Sequence, residues 1–494
     1  MLATPAGRRW TRRTVLGLGG GLGAALFLQA CGDRPPADRL SAGTSGDASP
    51  TGSTAREGGL QEPPTIRSEG GRLDAKLTIA PALVPHGAAK RWALAVNGTS
   101  PGPTLRVRPG DHLRIFLENH SGHPTNLHTH GLRVAAAGNA DNPFVEIPDG
   151  GSFAYDIDIP VDHPGGLFWY HPHFHHHVAE QLFAGFFGAI VVEDGFDVRR
   201  EVAAATERLL LIHDARPGTT EDAVLTVSNM EQMTGREGSL VLVNGQEQPS
   251  IRAKPGRLER WRILNASPSR FYRLSLEGSR IHVIGSDGGR LSAGVTVDTL
   301  DLVPGERAEV LVAVQGPGTF DLKTLAVDRG SPGMGRGRPG TSGAAILARL
   351  EVSEQTALPA MPTSLELLDD LSRVNPDRTR ELVFSMQGMN FFIDGRSFDP
   401  KRVDIQTRFG AVEEWTVRNS STMDHPFHLH VWPFQVVGAS NQSVQPGWKD
   451  VVNVPAGGWV RFRVRFDTHA AKTVYHCHIL DHEDMGMMGI IEVT

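Results

Sequence analysis

The histidines of this sequence are concentrated in four short stretches. Thirteen of the 21 histidines lie in "LHTHGL" (127–132), "WYHPHFHHHV" (169–178), "HPFHLH" (425–430) and "HCHILDH" (476–482). Each stretch contains a His-x-His pair, and residues i and i+2 of a β-strand point to the same face. The four pairs supply eight imidazoles, a set that suits a cluster of copper, zinc or iron ions. The pairs are His128 with His130, His171 with His173, His428 with His430, and His476 with His478.

Cys477 lies between the two histidines of the last pair, so its side chain is predicted to point to the opposite face of the strand. On that face His425, His482 and Met487 can join its thiolate. Two imidazoles, one thiolate and a weak thioether form the ligand set of a blue copper centre. Zinc is the alternative, but it prefers a tetrahedral site and gives no reason for an adjacent His-x-His pair. One strand is therefore predicted to contact two metal sites.

The N-terminus is typical of an exported protein. Basic residues precede an apolar run from Val15 to Leu28, which is too short to span a bilayer comfortably. Arg12 and Arg13 lie in a pattern that resembles a twin-arginine signal, and "LQAC" resembles a lipobox ending at Cys31. We expect export to the cell envelope, periplasm or exterior, with a lipid on Cys31 as the only membrane anchor. An ordinary signal with an incidental Cys31 is the alternative; a lipidated Cys31 would leave Cys477 without a disulfide partner.

Composition and charge narrow the fold and the partners. The 56 glycines and 33 prolines punctuate short β-rich runs, which favours an all-β fold. At 494 residues the chain is long enough for several domains. A net charge of -6 with no basic stripe argues against a nucleic-acid partner. We expect a monomer.

The sequence repeats itself at intervals of about 150 residues, which indicates tandem domains. The segments "PGDHLRIFLEN" (109–119), "PGRLERWRILN" (255–265) and "FGAVEEWTVRN" (409–419) share a glycine, a final asparagine and an alternating pattern. The middle repeat has no histidine pair, so we expect it to be structural. The predicted boundaries are an export signal at 1–31, a flexible linker at 32–70, and domains at 71–198, 199–355 and 356–494.

The four clusters in this order, together with the pattern HCHxxxHxxxGM at the C-terminus, resemble the three-domain multicopper oxidases. That family includes laccases, bilirubin oxidases and cuprous oxidases, and the resemblance covers roughly residues 70–494. It implies three tandem cupredoxin-like Greek-key β-sandwiches, four coppers per chain, and four one-electron oxidations coupled to reduction of dioxygen to water. It places the type 1 copper on His425, Cys477, His482 and Met487, the type 2 copper on His128 and His428, and the type 3 pair on His130, His171, His173, His430, His476 and His478.

The resemblance also implies acidic residues that supply protons to the cluster. Glu483 follows His482 within the C-terminal motif and matches one of them. Asp141 follows the first cluster, but apparent insertions shift its position, so a solvated loop carboxylate is an equal alternative.

Two other functions use similar residues. A copper nitrite reductase also has cupredoxin domains and a blue site, but His478 and the paired His-x-His motifs argue for a binuclear centre. A copper-binding or homeostasis protein of the envelope would need many thioether sites, and the chain has only 11 scattered methionines. Cuprous oxidases of the family that this chain resembles often carry a methionine-rich insertion over the type 1 site, whereas the comparable Gly-rich loop 329–343 contains the single Met334. The resemblance therefore favours phenols or aromatic amines over Cu(I), Fe(II) or another metal ion as substrate.

Overall fold

The computed structural model describes residues 59–494, except 194–199, 255, 315, 332–340, 355, 359, 363, 366–368, 442–443 and 445–446. The predicted export signal, Cys31, the first part of the predicted linker and Met334 lie outside the described residues. Among the described residues, none of the helices has the length and apolar character needed to span a bilayer.

The first β-sandwich consists of a five-stranded sheet in the order β1-β4-β9-β8-β6 and a four-stranded sheet in the order β3-β2-β5-β7. Its elements are β1 (Thr65–Arg67), β2 (Arg72–His86), β3 (Ala89–Val96), β4 (Thr104–Val107), β5 (His112–Asn119), β6 (His128–His130), β7 (Ser152–Asp158), β8 (Gly166–His171), α1 (Val178–Ala184) and β9 (Gly188–Val192). Strand β1 pairs in parallel with β4, so residues 65–67 of the predicted linker belong to the folded part.

The second sandwich has a six-stranded sheet in the order β11-β10-β13-β18-β15-β16 and a five-stranded sheet in the order β12-β22-β19-β14-β17. Its elements are α2 (Arg200–Ala204), β10 (Thr206–Ala215), α3 (Glu221–Leu225), α4 (Asn229–Thr234), β11 (Leu240–Val243), β12 (Ser250–Arg252), β13 (Glu259–Asn265), β14 (Tyr272–Leu276), β15 (Ile281–Ser286), β16 (Gly289–Val297), β17 (Leu300–Leu302), β18 (Arg307–Val312), β19 (Gly318–Leu325), the short pair β20 (Val327–Asp328) and β21 (Thr341–Ser342), and β22 (Ala345–Val352).

The third sandwich has two five-stranded sheets, in the orders β24-β23-β26-β30-β28 and β25-β32-β31-β27-β29. Its elements are a 3₁₀ turn (Leu371–Arg373), β23 (Arg378–Gln387), β24 (Asn390–Ile393), β25 (Ile405–Thr407), β26 (Val412–Asn419), β27 (His425–Leu429), β28 (Phe434–Ala439), β29 (Val451–Val454), β30 (Trp459–Arg465), β31 (Lys472–Cys477), α5 (Leu480–Asp484) and β32 (Met488–Val493). The all-β prediction with three tandem sandwiches is confirmed.

The three sequence repeats form the equivalent strands β5, β13 and β26, and their final asparagines make equivalent hydrogen bonds. Asn119, Asn265 and Asn419 are buried, and the side-chain amide of each donates to two backbone carbonyls at 2.8–3.0 Å. The side-chain oxygen of each accepts a backbone N–H two residues later. The asparagine therefore ties the end of its strand to the following turn and to a second segment, because buried backbone carbonyls need a donor.

Each sandwich encloses its own apolar core, and a smaller cluster joins the first two. The first core includes Leu77 and Ile115, the second Trp261, and the third Trp415. The joining cluster contains residues of β8, α1 and β9 from the first sandwich, residues of β10 and β13 from the second, and Leu480 of α5. Apolar packing between the sandwiches fixes their relative positions, and the strands β6, β8, β27 and β31 carry the histidine clusters.

Candidate metal centres

The histidines lie on or next to four strands, and these strands form two antiparallel pairs. In the first sandwich β6 pairs with β8, so that His128 lies opposite His171. In the third sandwich β27 pairs with β31, so that His428 lies opposite His476. Because side chains alternate along a strand, each pairing directs imidazoles from two neighbouring strands to one side of the sheet. The eight histidines predicted to converge do come together, and all are buried.

One trio of histidines is arranged as a triangle of nitrogen atoms. The Nε2 atom of His430 lies 3.1 Å from Nε2 of His173 and 3.2 Å from Nε2 of His476, and the latter two are 3.2 Å apart. The centre of such a triangle is about 1.8 Å from each nitrogen, close to the usual metal–imidazole bond of roughly 2.0 Å. Two protonated nitrogens would repel each other at these distances, so the geometry fits a metal ion.

His130, His171 and His478 form a second trio, whose candidate ligand atoms lie within 4.8 Å of one another. The Nδ1 atom of His130 is 3.3 Å from Nε2 of His171. Both ring nitrogens of His478 are buried and have no hydrogen-bond partner among the described residues. An imidazole is costly to bury unpaired, so a metal ion is the partner that this arrangement fits.

His128 and His428 offer a third position beside the two trios. The Nε2 atom of each is buried and has no hydrogen-bond partner in the described part of the chain. The Nδ1–H of His128 donates to both oxygens of Asp141 at 3.0 Å, and the Nδ1–H of His428 donates to the carbonyl of Asp450 at 2.8 Å. These bonds fix the tautomer of each ring and leave Nε2 with a free lone pair.

Burial favours the neutral form of seven of these eight rings. It lowers the pKa of seven of the eight imidazoles, and neighbouring imidazoles add to the effect because two charged rings would repel. The pKa of His171 falls to about 3 and that of His173 to about 4. Neutral imidazole is the form that binds metal ions. The seven are His128, His130, His171, His173, His428, His430 and His478.

A separate centre surrounds Cys477 on the other face of β31. Its Sγ atom lies 3.5 Å from Nδ1 of His425 and 3.7 Å from Nδ1 of His482, and the two nitrogens are 3.2 Å apart. The backbone N–H of Cys477 donates to the backbone carbonyl of Met487 at 3.0 Å, so Met487 lies beside Cys477. The side chain of Met487 is buried. The four residues predicted as one ligand set are therefore neighbours.

Hydrogen bonds outside this centre orient both of its imidazoles. The Nε2–H of His425 donates to Oγ of Ser421 at 2.9 Å, and the Nε2–H of His482 donates to the carbonyl of Met233 at 3.1 Å. Each ring therefore presents Nδ1 to the sulfur. Burial raises the pKa of the Cys477 thiol, although the Ile479 N–H points at its sulfur from 3.5 Å, so a bound metal must displace the thiol proton.

The two predicted acidic residues both lie against the histidines. The carboxylate of Glu483 is buried, with Oε2 3.0 Å from Nδ1 of His476 and Oε1 3.5 Å from Nε2 of His173. Burial alone would raise the pKa of Glu483, but His476 and His173 lower it to about 2. Asp141 is buried against His128, and burial raises its pKa to about 7 although the Thr129 N–H donates to it at 2.8 Å. The alternative of a solvated loop carboxylate for Asp141 is wrong.

The additional histidines of the second cluster lie at its edge. The Nδ1–H of His176 donates to the carbonyl of Asp484 at 3.0 Å, and His177 pairs with Glu180 at 2.5 Å. His175 packs against Phe398, with ring centroids 4.8 Å apart. These contacts fix the loop that follows His173.

Sequence reasoning missed the residues that orient the candidate ligands. Ser421, Met233 and Asp450 each accept a hydrogen bond from a histidine of the two centres. Arg236 of the second sandwich pairs with the buried Asp481, which precedes His482, at 2.8–3.2 Å. All of these orienting residues lie outside the histidine motifs, and only Ser421 is close in sequence to its histidine. No local pattern therefore marks them.

Comparison with known protein families places this arrangement. Three models described as multicopper oxidase match residues 80–196, 212–339 and 362–494. The matches cover most of the chain, one per sandwich, and identify the sandwiches as cupredoxin domains. The cofactor is copper, since the histidine and cysteine groups match the type 1 and three-copper sites of this family.

Individual relatives agree with this result. A multicopper oxidase of Staphylococcus aureus is 28% identical over 416 residues, covering 81% of this chain and 84% of that protein. A solved multicopper oxidase from Campylobacter jejuni, described as a metallo-oxidase, superposes with a TM-score of 0.78 at 30% identity, covering 88% of this chain and 94% of that one. A laccase-like CueO from Ochrobactrum with activity towards lignin model compounds superposes with a TM-score of 0.75 at 27% identity, covering 88% and 100%.

The close approach of the second sandwich to His478 gives a steric prediction. A Cβ on Gly305 would lie 2.8 Å from Nε2 of His478, whereas a Cβ on Gly316 would meet no atom within 4 Å, and the two glycines have similar φ angles of +85° and +89°. Both Gly→Ala variants should lose about 1–2 kcal/mol of stability from the backbone conformation. Only Gly305→Ala should also lose copper.

Copper per chain and the thermal unfolding midpoint of the two variants measure this difference. We expect Gly316→Ala to keep the wild-type copper content. Equal copper content in both variants would contradict the placement of His478 as a candidate ligand.

Proposed function

Because the chain belongs to the multicopper oxidase family, we propose that it is an exported oxidase that couples four one-electron oxidations of a small reducing substrate to the reduction of dioxygen to two waters. One observation carries the proposal: strand β31 bears Cys477 on one face and His476 on the other, and His478 follows directly. A single short segment therefore reaches both candidate centres.

The grouping of the side chains supports the ligand roles that we propose. When bound, the type 1 copper accepts single electrons from the substrate, and the three-copper cluster binds and reduces dioxygen. We assign the type 1 copper to His425, Cys477, His482 and Met487, the type 2 copper to His128 and His428, one type 3 copper to His130, His171 and His478, and the other to His173, His430 and His476.

Cys477 provides the connection between the centres in two ways. Its backbone is covalently continuous with His476 and His478. In addition, the Nδ1–H of His476 donates to the carbonyl of Cys477 at 3.0 Å, which links the cysteine to that imidazole by a hydrogen bond. The sulfur, the peptide and the imidazole therefore form a short path for an electron.

Glu483 and Asp141 are suited to supply protons to the cluster. Glu483 is 3.0 Å from His476 and 3.5 Å from His173. A buried carboxylate in direct contact with two cluster histidines is placed to exchange a proton with the site. Asp141 contacts His128 on the other side of the cluster.

The two alternative functions do not account for this arrangement. A copper nitrite reductase gives no role to two trios of histidines beside the type 1 site. A copper-storage protein gives no reason to connect two copper centres through one strand or to bury acidic residues against the cluster. Both features have a role in an oxidase.

Cys477→Ser tests the electron path, with Met487→Leu as its matched control. Serine cannot supply copper–thiolate charge transfer, so the blue absorption and oxygen uptake should both be lost, while the six type 3 histidines and the type 2 pair still bind copper. Met487→Leu removes only the weak axial ligand, so the blue band should remain and the reduction potential should rise.

Visible absorption, copper content and oxygen uptake of the purified proteins measure these outcomes, with about four coppers expected for the wild type and about three for Cys477→Ser. Oxygen consumption by Cys477→Ser at the wild-type rate would contradict the assignment of Cys477 to the electron path.

Helix α4 lies against the proposed type 1 site. His482 is fully buried, and the Met233 carbonyl on this helix covers its Nε2 atom. We propose a phenol or aromatic amine as substrate, because loop 329–343 contains a single methionine where cuprous oxidases of the family often have a methionine-rich insertion. A second candidate is Cu(I), because α4 carries two thioethers at i and i+3: Met230 is 60% exposed and Met233 is half-buried.

Replacing both α4 methionines separates these substrates. If the thioethers bind Cu(I), Met230→Leu with Met233→Leu should lower kcat/KM for Cu(I) by about tenfold or more and leave the rate on a phenol nearly unchanged, because soft thioethers select Cu(I). Met361→Leu, which packs against the core of the second sandwich, is the control. Steady-state rates on Cu(I) and on a phenol measure these outcomes. Equal kcat/KM values for Cu(I) in the double variant and the wild type would exclude Cu(I) binding at α4.

Export and membrane attachment are a further part of the proposal. The segment before residue 32 has the features of a twin-arginine signal with a lipid-modified Cys31. Cys31→Ala should release the protein from the membrane fraction and leave its activity unchanged, because the lipid is the only anchor we propose. Fractionation of cells that express both forms measures this. Equal membrane association of the two would show that Cys31 carries no anchor.

A further inference from the structure

A buried arginine of the second sandwich connects all three sandwiches beside the copper cluster. The Arg307 side chain is 1% exposed and lies at the start of β18. Its Nε–H donates to the carbonyl of Leu167 in the first sandwich at 3.2 Å, and its Nη2 donates to the carbonyl of Asp287 in the second at 2.9 Å. Its two Nη atoms contact the two carboxylate oxygens of Asp450 in the third sandwich at 2.6 Å and 2.5 Å.

Asp450 in turn contacts two histidines of the cluster. Its Oδ1 atom, which accepts from Arg307, is also 3.0 Å from Nε2 of His130, and its carbonyl accepts the Nδ1–H of His428 at 2.8 Å. An ionised carboxylate can only accept hydrogen bonds. His130 must therefore carry its proton on Nε2, which leaves the Nδ1 lone pair free.

This tautomer differs from that of the other fixed rings in the cluster. His128, His171, His428 and His476 each donate through Nδ1 and so present Nε2. The Nδ1 atom of His130 faces Nε2 of His171 at 3.3 Å. With the proton on the wrong nitrogen, His130 could not contribute a lone pair to that trio.

We propose that Arg307 is a positioning residue for the copper cluster: through Asp450 it holds His130 in the tautomer that presents Nδ1. The inference rests on the proposed function. It gives the second sandwich, which supplies none of the assigned copper ligands, a direct part in building the cluster. The bidentate contact matters because the planar fork of arginine fixes the carboxylate in one orientation, and a lysine makes only a point contact.

The surroundings leave Arg307 and Asp450 little freedom to rearrange. A Cβ on Gly131, which follows His130, would overlap Nη2 of Arg307 and lie 2.7 Å from Oδ2 of Asp450. The N–H of Arg307 donates to Asp287 at 2.8 Å, and Lys449 pairs with Asp287 at 3.3 Å and with Glu306 at 2.9 Å. Each of these buried charges therefore has a partner of opposite sign, which offsets the cost of removing an ion from water.

Asp450→Asn is the most direct test. The oxygen of the asparagine can still accept from Arg307, which turns its NH₂ group towards Nε2 of His130 and favours the tautomer with the proton on Nδ1. The equivalent change in a Ser-His-Asp triad acts by the same tautomer reversal. We expect loss of one or both type 3 coppers, so that the content falls from about four to about two or three per chain, while the blue type 1 band is kept.

Two further variants separate positioning from a general structural effect. Arg307→Lys keeps the charge but loses the fork, so it should lose part of the type 3 copper. Glu306→Gln changes the same network through Lys449 without contact to any cluster histidine, so it should keep the wild-type copper content. Thermal unfolding of the copper-free proteins reports stability independently of copper.

The tautomer itself can be observed in the copper-free protein. Nitrogen chemical shifts of ¹⁵N-histidine-labelled protein should show His130 unprotonated at Nδ1 in the wild type and protonated at Nδ1 in Asp450→Asn. If Asp450→Asn does not fold, the same measurement on Arg307→Lys should show a mixture of the two tautomers. A wild-type tautomer and full type 3 copper in whichever of these variants folds would overturn the proposal.

Failure of the proposed function gives a different result. A wild-type protein that binds fewer than four coppers or takes up no oxygen would contradict the oxidase assignment. A wild type with four coppers, together with variants that keep them all, would contradict only the role of Arg307.

Discussion

The alternation of side chains along strand β31 is the constraint on which the metal centres depend. Successive residues of a strand point to opposite faces, so Cys477 and His476 cannot belong to the same site. One face of the strand therefore turns to the core of the third sandwich, and the other turns to the histidines of the first sandwich. The pairing of β31 with β27 places His428 opposite His476, and the pairing of β6 with β8 places His128 opposite His171.

Hydrogen bonds outside the ligand groups decide which nitrogen each imidazole presents. At the type 1 candidate both rings donate through Nε2, to Ser421 and to the Met233 carbonyl, and so offer Nδ1. Four rings of the cluster donate through Nδ1 and offer Nε2, whereas His130 donates through Nε2. These partners come from backbone carbonyls, a hydroxyl and two aspartates. Where burial keeps a ring neutral, the nitrogen that does not donate has a lone pair, and no second proton competes with the metal.

The second sandwich was expected to be structural, and in the structure it contacts both candidate metal centres. Its helix α4 covers His482, its Arg236 holds Asp481 beside that histidine, and its Gly305 leaves room for His478. Each of these contacts depends on the way the sandwiches pack against one another through apolar clusters. The second sandwich therefore lies against one centre through α4 and Arg236 and against the other through Gly305.

The sequence by itself determined the all-β class, the three repeats and the grouping of the histidines, because these depend on local periodicity. The two-residue period of a strand is sufficient to pair His128 with His130 and to separate Cys477 from its neighbours. The final asparagines of the repeats were also visible in the sequence, although their bonds to neighbouring segments were not. The segment 65–67 was assigned to a linker because composition does not reveal that it pairs with β4.

Tertiary structure alone decided which residues surround the ligands. The burial of Asp141 against His128 resolved a choice that the sequence left open, since a loop carboxylate has the same local pattern whether it is solvated or buried. Arg307 and Asp450 are separated by 143 residues and belong to different sandwiches, and neither lies in a motif. Their contact arises only when the sandwiches pack, because hydrogen bonds between distant segments have no periodicity that a single sequence can show.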